Sequence, residues 1–517
     1  MRKQLSFGPG KLGDRPVSGD TCSTPAGAHE LLFSPDHGAT LAFQGHQLRP
    51  SSDGMRRRPH LSLLEFGTKA ASVEVMSTVI LSAASPANPG VQELGALLQQ
   101  ELARTETKNV HRFDLAAIKL AYCQGEFDCW VKTPGVCRSL DAEQDIVRAI
   151  HDAENLIFLD AVTFGGHSYT LKRAQDRLIC LLAPFFEKRS LLTHHDSRYE
   201  KNPNFFALGF SPTADEYRSE TWRGLADANA INMLAPRVGS AVVSNADRDG
   251  WATAIRTMLA SEERPGSRIQ ERESLRAELL LAAKPEYSPF ALVPAQKVAF
   301  VIGSAKPKGT STSETLARAM GARFEKEGVS TEYHFATDFL HEAGAAAAAG
   351  AVAAADLFVL VSPLYVDSLP ALATRALEHV ARARTQNPNG RKRFAALLNC
   401  GFPEPEHNRS ALRIARHFAE DASYHFAGGL PLGGGGMIKP GVPLDEQHGP
   451  AEHVKRALDA ATAALSLGEN IPPEALMAII ETPFPDSAYR LMGDLGWRYQ
   501  AYKNGVAQGA LRARPFD

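Results

Sequence analysis

One stretch constrains this chain more than any other: Lys297–Arg318, KVAFVIGSAKPKGTSTSETLAR. Val298–Ile302 is an apolar, β-branched run of the length of a buried parallel strand. It breaks at Gly303 into a loop of hydroxyls and two lysines, and a helical pattern follows from Glu314 with Leu316, Ala317 and Met320 on one face. Strand, hydroxyl-rich loop and helix N-terminus together make an anion site, because free amide N–H groups and the positive end of the helix dipole converge there. Lys308 precedes Gly309 instead of following it, so this is not a P-loop, and G-x-G-x-x-G is absent from it. The plainer alternative is a strand-to-helix turn whose Ser and Thr side chains only cap the helix.

Around this stretch strands and helices alternate twice over, which argues for α/β architecture with doubly wound parallel sheets. In the first half the expected strands are Met76–Ser82, Lys108–Leu115, Asn155–Leu159, Asn204–Phe210 and Arg237–Val243, with helices between them, one of them over Leu171–Phe186. In the second they are Val298–Ile302, Thr331–Phe335, Asp356–Val361 and Phe394–Asn399, with the Gly-rich run Gly428–Gly436 following a last strand. The halves repeat one architecture, with Ser82 corresponding to Ser304 and Thr163-Phe-Gly-Gly to Pro363-Leu-Tyr-Val. The expected organisation is a low-complexity extension over 1–70, a first domain over 71–262, a charged and proline-marked linker over 263–294, a second domain over 295–470 and a helical tail over 471–517.

With 517 residues, 44% hydrophobic and 22% charged, the chain has the composition of a soluble multidomain protein, and a formal net charge of −2 gives no reason to expect nucleic acid or an anionic membrane as partner. No apolar run is long enough to span a bilayer. Six cysteines are too few for a disulfide framework at this length, so a reducing, cytoplasmic setting is expected. In doubly wound sheets ligands lie beyond the carboxyl ends of the strands, where strand order reverses. Three loops of the second half meet there: Ser304–Ser313, Pro363–Leu369 and Cys400–Glu406. The first suits a monophosphate, that of FMN foremost once the two nucleotide fingerprints are excluded. The other two offer amide groups and apolar side chains to a flat heteroaromatic ring. No paired carboxylates, Ser-His-Asp set or metal cluster stands out, as expected where a cofactor carries the chemistry. Tyr365 either faces such a ring or is a half-buried aromatic on a helix-capping loop.

In Gly303-Ser-Ala-Lys-Pro-Lys-Gly309, Ser362-Pro-Leu-Tyr-Val-Asp-Ser-Leu-Pro370 and Asn399-Cys-Gly-Phe-Pro-Glu404, the second half resembles the NADPH-dependent FMN reductase group of the flavodoxin-like superfamily. The resemblance implies an FMN phosphate on Ser304, Lys306, Thr310, Ser311, Thr312 and Ser313. It implies an isoalloxazine ring against Pro363, Leu364, Tyr365, Val366, Cys400, Gly401 and Phe402. The loop carries one residue more around Thr310-Ser311 than that pattern.

The first half is similar to the multimeric-flavodoxin and iron–sulfur-flavoprotein relatives in Cys123-Gln-Gly-Glu-Phe-Asp-Cys129 through Cys137, in Ala161-Val-Thr-Phe-Gly-Gly-His-Ser168 and in Thr193-His-His195. Cluster-binding relatives hold [4Fe–4S] on four cysteines. Only three stand in this run, with Glu126 where another belongs, so the segment alone lacks a four-thiolate cage, and no metal site is expected. The corresponding cofactor contacts are Ser82, Ser85, Thr163, Phe164 and Gly165. Ser82–Gly90 has two hydroxyls and no Lys or Arg, a poorer anion site than Ser304–Ser313. His194-His195 reads as a loop pair rather than a proton donor.

These features lead to an FMN-dependent NAD(P)H oxidoreductase acting on a quinone, free flavin or similar small electron acceptor. Because the related reductases work as dimers, the halves are expected to form an intrachain pseudo-dimer, with a further homo-oligomer of the whole chain left open. The competing readings are a flavodoxin-type electron carrier, which the near-neutral charge disfavours, and a non-catalytic scaffold with vestigial flavin sites.

Overall fold

Strands form where the chain strings together uncharged, β-branched and aromatic residues, because a parallel strand covered on both faces turns no side to water. The computed structural model describes residues 77–105, 109–269, 271–287, 293–386, 390 and 392–517. The extension expected over 1–70 lies outside them. The first half runs β1 (Ser77–Ser82), α1 (Pro89–Ala103), β2 (Asn109–Asp114), α2 (Asp128–Val131), α3 (Glu143–His151), β3 (Asn155–Ala161), α4 (Tyr169–Gln175), β4 (Leu182–Arg189), β5 (Leu192–Ser197), β6 (Asn204–Ser211), α5 (Glu216–Asn232), β7 (Val238–Ser244) and α6 (Trp251–Leu259). After α7 (Arg272–Ala283) come β8 (Lys297–Ile302), α8 (Thr312–Lys326), β9 (Ser330–Phe335), α9 (Glu342–Ala354), β10 (Leu357–Pro363), α10 (Ala371–Gln386), β11 (Lys392–Asn399), α11 (Arg409–Asp421), β12 (Tyr424–Leu432), α12 (Glu452–Ser466), α13 (Pro473–Ile479) and α14 (Asp486–Lys503).

The two five-stranded sheets are wholly parallel, in the orders β2-β1-β3-β6-β7 and β9-β8-β10-β11-β12. Numbered within each half the order is 2-1-3-4-5, that of flavodoxin-like sheets. Helices cover both faces. On the first sheet Leu81, Phe158 and Phe205 face one cluster and Ile80, Ile157 and Phe206 the other, as the two-residue period of a strand requires. No helix among the described residues is long and apolar enough to cross a membrane.

Helices that follow equivalent strands meet where the halves join: α4 packs on α10, and α5 on α11. Phe164 and Leu225 of the first half belong to the hydrophobic core of the second. Polar contacts add direction. Asp176 accepts from the Ala371 amide at the start of α10 (2.8 Å), Glu378 accepts from the Tyr169 amide (3.1 Å), and Arg218 pairs with Asp421 (2.7 Å).

The structure departs from the sequence expectations at particular residues. The helix expected over Leu171–Phe186 ends at Gln175, and its second part is strand β4 of an antiparallel hairpin with β5. Pro184 keeps the last part of the segment out of a helix, since an interior proline removes a helix hydrogen bond and clashes with the carbonyl four residues before it. Thr193, His194 and His195 therefore lie in a strand rather than a loop. The last strand runs through Gly428 and Gly429 instead of ending before them. A Cβ on Gly429 would stand 2.5 Å from the Leu412 side chain, so α11 packs this close only over glycine. Helix α8 begins at Thr312, two residues earlier than the apolar pattern, because Ser311 accepts the Glu314 amide as N-cap (3.1 Å).

The segment expected as a linker contains α7, whose Leu279, Ala282 and Ala283 are buried in the second core. Residues 270 and 288–292 of that segment lie outside the described residues. From the segment expected as a tail, Ile471, Ala475 and Ile479 join the same core, while Ala501 and Leu511 pack on Ala183 and Phe185 of the first half. The chain thus ends where its hairpin began.

Candidate functional site

The loops after β3 and β10 make the same tight turn. Thr163 bridges Gly166, and Tyr365 bridges Ser368, so Thr163 corresponds to Tyr365 and not to Pro363. Both turns need two left-handed residues, Phe164 (φ 51°) and Gly165 (φ 77°) in one, Val366 (φ 50°) and Asp367 (φ 57°) in the other. A β-branched valine in that region is a genuine outlier and persists only where its surroundings enforce it. Here the first half supplies the enforcement: Lys172 Nζ donates to the Tyr365 carbonyl (2.8 Å), Asn229 Nδ2 to the Val366 carbonyl (3.1 Å), and Asn232 Nδ2 to the Asp367 carboxylate. Burial opposes charge on Asp367, but its hydrogen bond to His407 and the neighbouring positive groups outweigh that and hold its carboxyl below the usual range.

This turn borders a cavity of about 520 Å³, within the range of small-molecule and cofactor sites. Six residues expected around a flat ring line it: Leu364, Tyr365, Val366, Cys400, Gly401 and Phe402. Pro363, also expected there, ends β10 half-buried and is not part of the lining. Sequence reasoning missed the remaining walls. The cysteine loop of the first half brings Gly125, Phe127, Cys123, Cys129 and Cys137; the hairpin brings Phe186 and His195; and α14 brings Tyr489, Gly493 and Trp497. The Tyr365 hydroxyl sits so close to Gly125 that an added Cβ would stand 1.9 Å from it. Trp497 meets Phe127 and Trp130 edge-on, each at 5.2 Å, and Tyr489 donates to the Gly401 carbonyl at 2.5 Å.

Burial keeps some of the cavity's titratable groups neutral, beside charged ones such as Asp367 and Arg177. Burial pushes His195 down to about 3 and the neighbouring His194, which pairs with Asn232, down to about 4. Burial pushes the Cys123 thiol up to about 12, and those of Cys129 and Cys400 upward as well. Burial pushes the Cys180 thiol, on the turn after α4, upward too, and no His/Cys/Asp/Glu group among the described residues is arranged to hold a metal. Burial holds the thiols of Cys123, Cys129, Cys180 and Cys400 in their protonated form.

The residues expected around a phosphate do not line this cavity; they lie at the α8 N-terminus. Ser304 accepts the Lys306 amide (3.2 Å), Thr310 donates to the Pro307 carbonyl (2.6 Å), Ser311 caps the helix, Thr312 approaches the Gly435 carbonyl (3.4 Å), and Ser313 donates to Asn399 (2.9 Å). The amides of Thr312 and Ser313, in the first helical turn, have no intrahelical acceptor. Lys306 points toward the cysteine loop, its ammonium 6.0 Å from the Phe127 ring centre, and burial lowers its pKa while Glu126 opposes the change. Against an anion stands Glu314, whose carboxylate folds back to accept the Gly309 amide (2.5 Å).

The equivalent positions in the first half are filled. Gly90 and Ser313 are the second residues of their helices, and Phe210 and Asn399 occupy equivalent strand ends. Where Ser313 bonds Asn399, the Phe210 ring lies against Gly90, 2.2 Å from where a Cβ would be. Ser82 is buried and accepts the Ala84 amide (3.3 Å), while Ser85 is half-buried beside it. The turn after β3 is covered from the second half: Phe164 packs edge-on against Phe418 (5.4 Å), and His417 and Ile414 press on Gly165 and Gly166. Thr163, Phe164 and Gly165 therefore lie at the junction of the halves and not on the cavity.

Residues 296–413 match the family model described as NADPH-dependent FMN reductase, under a quarter of the chain. Solved structures with some likeness include an azoreductase from Bacillus anthracis str. Sterne, 17% identical, covering 33% of this chain and 98% of that one, with a TM-score of 0.24. Another is an NAD(P)H:quinone oxidoreductase from Methanothermobacter marburgensis, 14% identical, covering 34% and 96%, with a TM-score of 0.25. Likenesses this distant carry no weight for function. No curated protein matches the sequence.

Proposed function

We propose that this chain is an FMN-dependent NAD(P)H oxidoreductase that reduces a quinone, free flavin or similar small acceptor, with one FMN in the second half. The observation that carries the reading is the convergence of the two loops after β10 and β11 on one largely apolar cavity of about 520 Å³, immediately beyond the strand ends of the segment that matches the FMN reductase model.

FMN bound there supplies hydride transfer from a nicotinamide and onward to the acceptor. The chain's own residues orient and shield it. Leu364, Tyr365, Val366, Gly401 and Phe402 would hold the ring, and the Thr312 and Ser313 amides with the Lys306 ammonium would hold the phosphate. Trp497, Phe127 and Phe186 exclude water from the opposite side. The repeated sheets, joined through equivalent helices, act as an intrachain pseudo-dimer in which the first half walls the site of the second.

Purification tests this directly. The chain is expected to bind one equivalent of FMN with a flavin absorption band that NADPH or NADH bleaches under anaerobic conditions. A chain that takes up no added FMN refutes the reading, and a bound flavin that neither nucleotide reduces returns it to the carrier class.

A further inference from the structure

Beyond its cavity-lining residues Cys400, Gly401 and Phe402, the loop after β11 carries two carboxylates, Glu404 and Glu406, both 0% exposed. A buried carboxylate persists only where cations and hydrogen bonds replace its water. Among the described residues, the lysine and arginine partners of both come from outside residues 296–413, the segment that matches the family model. Glu406 has two: Arg276 of α7 donates to it at 2.6 Å, and Arg272 stands at 3.6 Å. Glu404 has one, Lys188 of β4 in the first half. Lys188 lies directly opposite Thr193 across the hairpin, so the two side chains share one face. Both donate to the same Glu404 oxygen, Thr193 at 2.8 Å. The second Glu404 oxygen is 3.8 Å from His407 Nε2, and neither atom makes a hydrogen bond among the described residues.

We infer that Lys188 is a positioning residue for the flavin site: through Glu404 it holds the loop after β11, with Gly401 and Phe402, in the shape that receives the ring. The inference deepens the function proposed above and rests on it for the identity of the ligand. The loop's shape depends on contacts within a few residues of Glu404. The Gly434 and Gly435 amides donate to the carbonyls of Phe402 (2.6 Å) and Cys400 (2.8 Å). The Cys400 thiol lies against the carbonyls of Phe402 and Glu404, at 3.2 and 3.4 Å. The Phe402 ring leans on Phe186 and His195 of the same hairpin, centre to centre 5.7 and 5.1 Å. Hairpin and loop are thus joined at two points, an apolar one on the cavity wall and an ionic one outside its lining. Without Lys188 the Glu404 carboxylate keeps the Thr193 hydroxyl as its one close donor. The segment then relieves an unpaired buried charge by opening to water, which carries Phe402 away from the hairpin. Glu406 is better protected against such a loss, because it has two guanidinium partners. Lys188 also pairs with Asp486 at the start of α14 (2.6 Å), so one ammonium ties together three elements that wall the cavity.

Hydrogen exchange on the flavin-free chain, followed by FMN titration, separates this inference from the reading it rests on. Lys188→Met keeps the length of the side chain and removes its charge. In that variant the Gly434 and Gly435 amides are expected to exchange about tenfold faster, while the amides of the central strands β3 and β10 keep their rates. FMN is expected to bind about tenfold more weakly, a modest share of what stranding one member of a buried charge pair costs, since the lysine is partly exposed. Adding Glu404→Gln removes the stranded charge and is expected to return both readings close to wild type. Lys188→Arg, which keeps a cation, is expected to stay close as well. A role confined to overall stability would raise exchange throughout the chain and leave FMN affinity alone. The inference is overturned if Lys188→Met leaves the two amides protected or FMN affinity unchanged, if exchange rises throughout, or if the double variant is no better than the single. If Lys188→Met does not fold, a double variant that folds with protected amides supports the inference, and one that does not overturns it. A wild-type chain that takes up no FMN while the two amides respond shows the loop to be held by Lys188 and refutes the flavin reading alone.

Discussion

Gly125 lies in the cysteine loop of one half and touches the cavity tyrosine of the other, so Gly125→Ala tests whether that contact shapes the site. Gly125 sits at φ 68°, where an L-residue costs about 1–2 kcal/mol. The new Cβ would stand 1.9 Å from the Tyr365 hydroxyl oxygen and 2.9 Å from Cζ, whereas real Cβ contacts essentially never fall below 3.0 Å. The tyrosine tip must therefore retreat by roughly 1 Å, a displacement of the size that cripples positioned sites. The Tyr365 backbone cannot follow, because Lys172 and Asn229 hold the carbonyls of Tyr365 and Val366. The variant is expected to lose about 1–2 kcal/mol of stability by chemical denaturation, and about tenfold in FMN affinity by fluorescence titration, equivalent to ~1.4 kcal/mol. Adding Tyr365→Phe removes the clashing oxygen and is expected to restore most of the FMN affinity but none of the backbone cost, a coupling visible in a double-mutant cycle. Unchanged FMN affinity in Gly125→Ala, or a double variant no better than the single, refutes the idea that this contact sets the position of the ring wall.

Burial pushes the Asp160 carboxyl up to about 7 despite its hydrogen bonds from Ser168. The unfolded chain releases that proton near pH 4 and the folded one near pH 7, so stability is full below the first value and falls as pH rises through the second, by up to about 4 kcal/mol. Asp160→Asn is expected to flatten this slope in urea midpoints measured from pH 4 to 8, and an unaltered slope places the titration elsewhere. Replacing Lys306 and the hydroxyls at 310–313 by alanine is expected to weaken FMN retention while the sheets stay folded; undiminished retention on gel filtration moves the phosphate to another place. Glu314→Gln removes the carboxylate lying over the Gly309 amide and is expected to tighten FMN several-fold at low salt, with weaker binding as the contrary result. Because Phe210 and Phe164 fill the first half's positions, denatured protein is expected to release one FMN per chain by absorbance, and two per chain contradicts that assignment.

Much of the sheet architecture can be read from the sequence because its signals are local. Val298–Ile302 and Asn155–Leu159 are uncharged runs of strand length, and both are central strands. Where pattern and structure differ, particular residues account for it: Pro184 bars a helix through the strand of the hairpin that contains it, and Gly428–Gly429 resembles a loop until Leu412 shows why a strand needs glycine there. The loops after β10 and β11 are legible as types of loop that border a cavity. Their partners are not, because nothing near Cys123–Cys137 indicates that Gly125 ends against Tyr365, or that Trp497 returns from the C-terminal helix. Matching strand ends could have found Phe210, which stands where the other half has Asn399.

Joining the two halves in one chain has a consequence for how each can change. In a homodimer of identical subunits every substitution appears on both sides of the twofold axis, so a residue that closes one pocket closes its twin. A fused pair escapes that coupling. Phe210 can plug one pocket while Asn399 leaves the other polar, and a loop whose own pocket is shut is free to be recruited as a neighbour's wall.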